Sequence, residues 1–149
     1  MFVALLAFYG VDPAAYAASG VLGTAEHYAV LGATAVTSSG ATSLFGDLGL
    51  APGTAITGFP PGVLTSGTTH VNDASSLQAK SDASAAYNYL AGLSPSQILT
   101  GELGGLTLTP GVYFIPAAAG LTGTLILDGQ GNVDSRFIFQ IVGALTTAA

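Results

Sequence analysis

The sequence predicts a mainly β fold, a solenoid of short strands with one helix laid along it. Three observations carry this. The stretch from Gly101 to Ala149 nearly repeats itself. Short apolar runs rich in β-branched and aromatic residues are cut by glycine or proline about every eight residues. A single alanine-rich stretch between residues 70 and 93 carries a helical period instead.

Taken in order, residues 1–19 open with an apolar run from Phe2 to Tyr9, followed by Asp12-Pro13 and the small-x-small triplet Ala15-Tyr16-Ala17. They read as a signal peptide or leader, against two alternatives: a packed N-terminal strand or a misplaced start. No Lys or Arg precedes the run, and it is too short to span a bilayer. From Val21 to Ile56 come Tyr28-Ala29-Val30-Leu31, Leu44-Phe45 and Leu48-Gly49-Leu50, which read as strands. Gly46-Asp47-Leu48-Gly49 is echoed by Gly101-Glu102-Leu103-Gly104, and a Pro-Gly follows each, at Pro52-Gly53 and Pro110-Gly111. Gly58-Phe59-Pro60-Pro61-Gly62 reads as a rigid turn, since proline donates no ladder hydrogen bond.

A helix over about 72–91 follows. Asn72 or Asp73 caps its start, and Ala79, Ala83, Ala86 and Leu90 recur on one face, with Leu77 and Tyr87 beside them. Gly92 is a C-cap candidate, and Pro95 prevents early resumption. The alanine-rich face lets this helix lie close against a flat side of the solenoid.

In the last third, a slide of 24 positions lays Tyr113-Phe114-Ile115 on Phe137-Ile138-Phe139 and brings Gly120-Leu121-Thr122 to Ala144-Leu145-Thr146, with Thr124 on Ala148. That length suits one solenoid turn of three short strands joined by tight corners. Because the sequence stops at Ala149 inside an apolar, threonine-bearing run, and a terminal rung needs covering, the solenoid is expected to be incomplete, with C-terminal rungs missing. The expected organisation is thus a leader over 1–19 and one incomplete solenoid domain over 20–149.

Composition narrows the function. Charged residues make up only 7% of the chain and the net charge is −6, so the surface is built from Thr, Ser, Gly, Ala and Asn. With Lys80 and Arg136 as its two strong cations, the chain is not expected to bind nucleic acid or anionic membrane. Cysteine is absent, which excludes disulfides and thiolate chemistry.

Solenoids also cleave acidic polysaccharides, but that needs clustered carboxylates beside cations, and Lys80 and Arg136 are isolated in sequence. His27 and His70 have no zinc-type spacing, and His70 reads as an anchor for the helix start. There is no Gly-x-Ser-x-Gly elbow. Asp128-Gly129-Gln130-Gly131-Asn132-Val133-Asp134 alternates oxygen-bearing side chains as a calcium loop does, yet lacks the closing glutamate; a turn between strands accounts for it equally. No cofactor or metal is expected.

Threonine remains. It recurs at Thr34 and Thr37, Thr54 and Thr57, Thr122 and Thr124, and Thr146 and Thr147. Strand residues two apart point the same way at roughly 6.5–7 Å, and neighbouring strands lie about 4.7–4.9 Å apart, so Thr122 and Thr124 over Thr146 would form a flat uncharged grid. Two readings stay open: threonine as a strand former, or a rigid grid that orders water at spacings of the size found in ice.

Specific motifs now carry a resemblance. LGTAEHYAVLGATAVT, FGDLGLAPGTAITGFPPG, THVNDA, Ala-Tyr-x-x-Leu-Ala-Gly at 86–92, LTGELGGLTLTPGVYF, LTGTLILDGQGN and FIFQIVGALTT, in this order from Leu22 to Ala149, resemble the microbial ice-binding proteins. The resemblance implies an irregular, discontinuous, right-handed β-solenoid with three-sided rungs and one long α-helix packed alongside. It also implies a secreted or cell-surface, monomeric, non-enzymatic protein without cofactor, whose partner is an ice crystal surface and its ordered water. Some members carry Thr-Ala/Gly-x-Thr/Asn on the ice-facing side, matched here by Thr34–Thr37 and Thr54–Thr57. Thr122, Thr124, Thr146 and Thr147 are the geometric candidates. The alternatives are a structural or adhesive cell-surface solenoid without ice activity, favoured by a charged or bulky residue amid the candidate face, and a polysaccharide-active enzyme.

Overall fold

The runs cut by glycine fold as short strands, and the stretch of helical period folds as the one α-helix among the described residues. The computed structural model of the chain describes residues 2–6 and 20–148; Asp12-Pro13 and Ala15-Tyr16-Ala17 lie outside the described residues. Strand β1 is Phe2–Leu6. The chain divides into two compact units, residues 19–86 and residues 87–149 together with 1–18.

In residues 19–86, a 3₁₀ turn at Gly23–His27 leads into β2 (Tyr28–Gly32), β3 (Ala35–Thr37), β4 (Ser43–Phe45), β5 (Asp47–Leu50), β6 (Ala55–Thr57), β7 (Val63–Ser66) and β8 (Thr69–Val71). All pairings are parallel and make three sides: β2-β5-β8, β3-β6 and β4-β7. Each turn of chain therefore contributes one strand per side, which is the expected three-sided rung. Leu48, Leu50 and Ala51 are fully buried in the middle rung.

Helix α1 spans Ala74–Ala91, within the predicted 72–91. Asp73 is the N-cap: its carboxylate accepts the Ser76 amide at 2.8 Å, and its own amide donates to Ser76 Oγ at 3.1 Å. Ser76, Ala79, Ala86 and Leu90 are buried, so the alanine-rich face is the packed face, with Leu77 and Tyr87 on the exposed side. Gly92 does not take the left-handed C-cap conformation; its amide closes on the Asn88 and Tyr89 carbonyls at 3.1 Å. Among the described residues, no helix is long and apolar enough to cross a membrane.

In residues 87–149, β9 (Gln97–Ile98), β10 (Thr107–Leu108), β11 (Gly111–Ile115), β12 (Ala119–Thr122), β13 (Ile126–Leu127), β14 (Phe137–Ile141) and β15 (Leu145–Ala148) repeat the scheme. The sides are β9-β11-β14, β10-β13 and β12-β15, all parallel, and β1 adds antiparallel to β14. Leu99, Leu103, Leu108, Tyr113, Ile115, Phe137, Phe139 and Ile141 form the core.

Here the expected register is corrected. Tyr113 pairs with Phe139, not Phe137, and Ala119 with Leu145, so the offset is two residues longer than the slide suggests. The Tyr113 and Phe139 rings stack at 5.5 Å, which rewards this register over its alternative. A slip of two keeps every side chain on its side of the sheet, so the inside–outside pattern survives while each neighbour changes.

Candidate functional site

Both groups of threonines lie on or next to the second strand of a rung, the one that follows the helix-side strand. In residues 19–86 the helix side is β2-β5-β8, where Tyr28 Oη and Ser75 Oγ lie 2.7 Å apart, and β3 and β6 come next. In residues 87–149 the helix side includes β14, whose Gln140 Nε2 donates to the Leu90 and Leu93 carbonyls at 2.8 and 2.9 Å, and β15 comes next.

On β3-β6, Ala35 pairs with Ala55, Val36 with Ile56 and Thr37 with Thr57. Val36 and Ile56 are half-buried, whereas Ala35, Thr37, Ala55 and Thr57 are exposed, as strand alternation requires. Thr57 Oγ1 donates to Thr37 Oγ1 at 3.2 Å, which holds the two side chains as a pair. Thr34 and Thr54 are exposed at the corners just before the strands. The outward side of this pair thus carries methyls and hydroxyls and no charge. The alanines of the two Thr-Ala-x-Thr segments belong to it as much as the threonines, which spacing arguments about threonine alone overlook.

The threonines of β12-β15 sort differently. Ala119 is buried, so alternation turns Gly120 and Thr122 outward; their partners Thr146 and Ala148 share that side. Thr147 pairs with Leu121, which packs against the core, and so alternates to the other side. Thr124 lies beyond the strand: β12 ends at Thr122, and Gly123, at φ +85°, turns the chain. The expected grid of Thr122 and Thr124 over Thr146 therefore does not form, because glycine in the left-handed region breaks the alternation it assumed.

Of the remaining sides, β4-β7 exposes Phe45 and Val63 at 72% and 51%, and β10-β13 exposes Ile126 at 53%, so each presents large apolar side chains.

Glu102, which belongs to no threonine pattern, bridges to Gly120 and enters the β12-β15 side. Its Oε1 accepts the Gly104 amide at 2.7 Å and the Thr122 amide at 2.9 Å. These bonds, the Thr122 amide first, hold its carboxyl below the ordinary range. The echo of Gly46-Asp47-Leu48-Gly49 was the signal for it.

The other polar groups serve the framework. His70 Nδ1 lies 2.8 Å from Asp73 Oδ2, and its ring packs on Tyr28, so it anchors the helix start as its position implied. The Ser76 amide, then His70, lowers the Asp73 carboxyl to about 2. Asp82 accepts the Thr24 hydroxyl at 2.7 Å and the Thr24 amide at 2.9 Å, and these lower its carboxyl too. In the loop after β13, Asp128 accepts the Gln130 amide and Asn132 the Asp134 amide, so those side chains close turns. Among the described residues, no three His, Asp or Glu gather as a metal site would require. Lys80 on α1 and Arg136 before β14 stand on different elements.

A family model described as Ice-binding-like matches residues 30–149. The chain is 46% identical over 149 residues to an ice-binding protein of Nostoc sp. (strain HG1), covering 99% of this chain and 55% of that protein. It is similar in structure to an ice-binding protein from the ascomycete Antarctomyces psychrotrophicus, with a TM-score of 0.81, 41% identity, and coverage of 85% of this chain and 62% of that one. A third likeness is to an ice-binding protein from an Antarctic biological consortium, with a TM-score of 0.76, 44% identity, and coverage of 85% and 58%. The chain thus spans little more than half the length of these relatives.

Proposed function

Because the chain belongs to the ice-binding-like family, we propose that it adsorbs to ice through the outward side of its second-strand pairs, chiefly β3-β6. The observation that carries this reading is the paired Thr37 and Thr57 beside paired Ala35 and Ala55, exposed, in register and uncharged. Strand geometry spaces such groups about 4.7–4.9 Å across and roughly 6.5–7 Å along. Methyls set at fixed intervals leave hydration water few arrangements, and hydroxyls beside them anchor that water. Water already ordered this way merges with a growing lattice. Ice between bound molecules then grows curved, which lowers the local freezing point and slows recrystallisation.

Thr34 and Thr54 extend the surface at the strand corners. For β12-β15, taken by itself, Thr122 and Thr146 are the proposed ice-facing groups, and Thr124 and Thr147 the lesser ones. Adsorption of this kind needs no cofactor and no catalytic group, and acts on ice outside the cell, so the protein is read as secreted or surface-located, monomeric and non-enzymatic.

The test replaces Thr37 and Thr57 with lysine, singly and together. Each variant is expected to stay folded, since both sites are exposed. Each should shape ice crystals less, and the double variant should let recrystallisation proceed as in buffer. Full inhibition by the folded double variant would overturn the assignment to β3-β6. A folded wild type that neither shapes ice nor slows recrystallisation would overturn the function.

A further inference from the structure

The Gly-acid-Leu-Gly motif occurs twice, and its carboxylate does the same thing each time. Asp47 Oδ1 accepts the Thr68 amide at 2.7 Å, and Glu102 Oε1 accepts the Thr122 amide at 2.9 Å. Both amides belong to the following rung, 21 and 20 residues on. A parallel ladder would meet such an amide with a backbone carbonyl of the neighbouring rung. Beside Thr122 that carbonyl is lacking, because the ladder there is a single bridge, Glu102 to Gly120, after which the chain turns at Gly104-Gly105. The two flanking glycines make room for a side chain to take its place. A Cβ on Gly120 would stand 3.0 Å from Glu102 Oε2, and one on Gly104 would stand 2.8 Å from Glu102 Oε1.

We propose that Glu102 is a positioning residue of the β12-β15 side: its carboxylate stands in for the missing rung carbonyl opposite the Thr122 amide, and so sets where Thr122 stands beside Ala148. The inference rests on the ice-adsorption reading above. Oε1 accepts two backbone amides, so part of the hydrogen-bonding capacity of this carboxylate is used within the protein, although Glu102 itself is exposed.

The experiment compares wild type, Glu102→Ala, Glu102→Gln and Asp47→Ala, each as the full chain. Amide exchange of Thr122 and ice recrystallisation inhibition are measured near 0 °C on proteins shown to be folded. In Glu102→Ala the Thr122 amide is expected to exchange about tenfold faster or more, and the concentration needed to halt recrystallisation to rise several-fold. Glu102→Gln keeps an Oε1 acceptor of the same length and should recover most of both. Asp47→Ala removes the equivalent staple from a helix-side strand and should leave inhibition close to wild type. If wild type inhibits and folded Glu102→Ala inhibits equally, or if Asp47→Ala loses as much as Glu102→Ala, the positioning role is overturned and ice adsorption stands. If folded wild type does not inhibit at all, both fall.

Discussion

Gln140 offers the sharpest test of how the helix is held. It sits 3% exposed in the otherwise apolar β14, and its Nε2 donates to the Leu90 carbonyl in the last turn of α1 and to the Leu93 carbonyl just beyond it. The Leu90 carbonyl is among the ones a helix cannot satisfy internally, and Gln140 caps it from a strand while also holding, at Leu93, the chain that leaves the helix. Gln140→Leu keeps the volume and removes both donors. Leu90 O retains only a long 3.4 Å bond from Leu93 N, and Leu93 O is part-buried, so the loss is smaller than for two fully stranded groups. About 2 kcal/mol in total is expected. For a chain of this size that lowers the melting temperature by about 4–8 °C. Thermal unfolding followed by far-ultraviolet circular dichroism measures it, and amide exchange at Gly92 and Leu93 locates it. A variant that melts within about 1 °C of wild type, with unchanged exchange at those amides, refutes the capping role.

Two further predictions follow from the same geometry. Asp73, Asp82 and Glu102 all have carboxyls lowered by hydrogen bonds, so their stabilisation is complete above their unfolded values and is lost as pH falls through the folded ones. The melting temperature should hold down to about pH 5 and then fall toward pH 2, the region of the Asp73 carboxyl at about 2; in Asp73→Ala it should be lower at neutral pH, with the gap to wild type closing in acid. Among the glycines, a Cβ on Gly104 would stand 1.9 Å from the Thr122 carbonyl oxygen, so Gly104→Ala must push two rungs apart. It should cost at least about 3 kcal/mol, whereas Gly123→Ala, at φ +85° but in open space, should cost about 1–2 kcal/mol. Urea unfolding of both variants checks the order, and a Gly104→Ala as stable as Gly123→Ala would contradict the close approach.

Much of the fold was legible because its signals are local. A β-branched run followed by glycine ends a strand wherever it occurs, and alanine at helical spacing after Asp73 starts a helix whatever lies beside it. The family motifs are likewise contiguous strings, which is why they identified the chain before any contact was known. The echo of Gly46-Asp47-Leu48-Gly49 at Gly101 was visible too, but not its purpose, because the amide each carboxylate accepts lies a full rung away.

What only the tertiary structure decided is register, and with it the surface. Aligning Tyr113 with Phe137 or with Phe139 matches one aromatic to another either way; ring stacking across the rung selects Phe139, and a loop of turns closed by Asp128 and Asn132 absorbs the extra residues. That choice sets Thr146 beside Gly120 and Thr122 beside Ala148. A single dihedral at Gly123 then removes Thr124 from the strand, which composition and spacing do not encode. By itself the sequence determined the periods, the caps and the scarcity of charge. Which threonines stand together was decided by neighbours about 20–26 positions away, since the side a residue faces is local but the residue it faces is not.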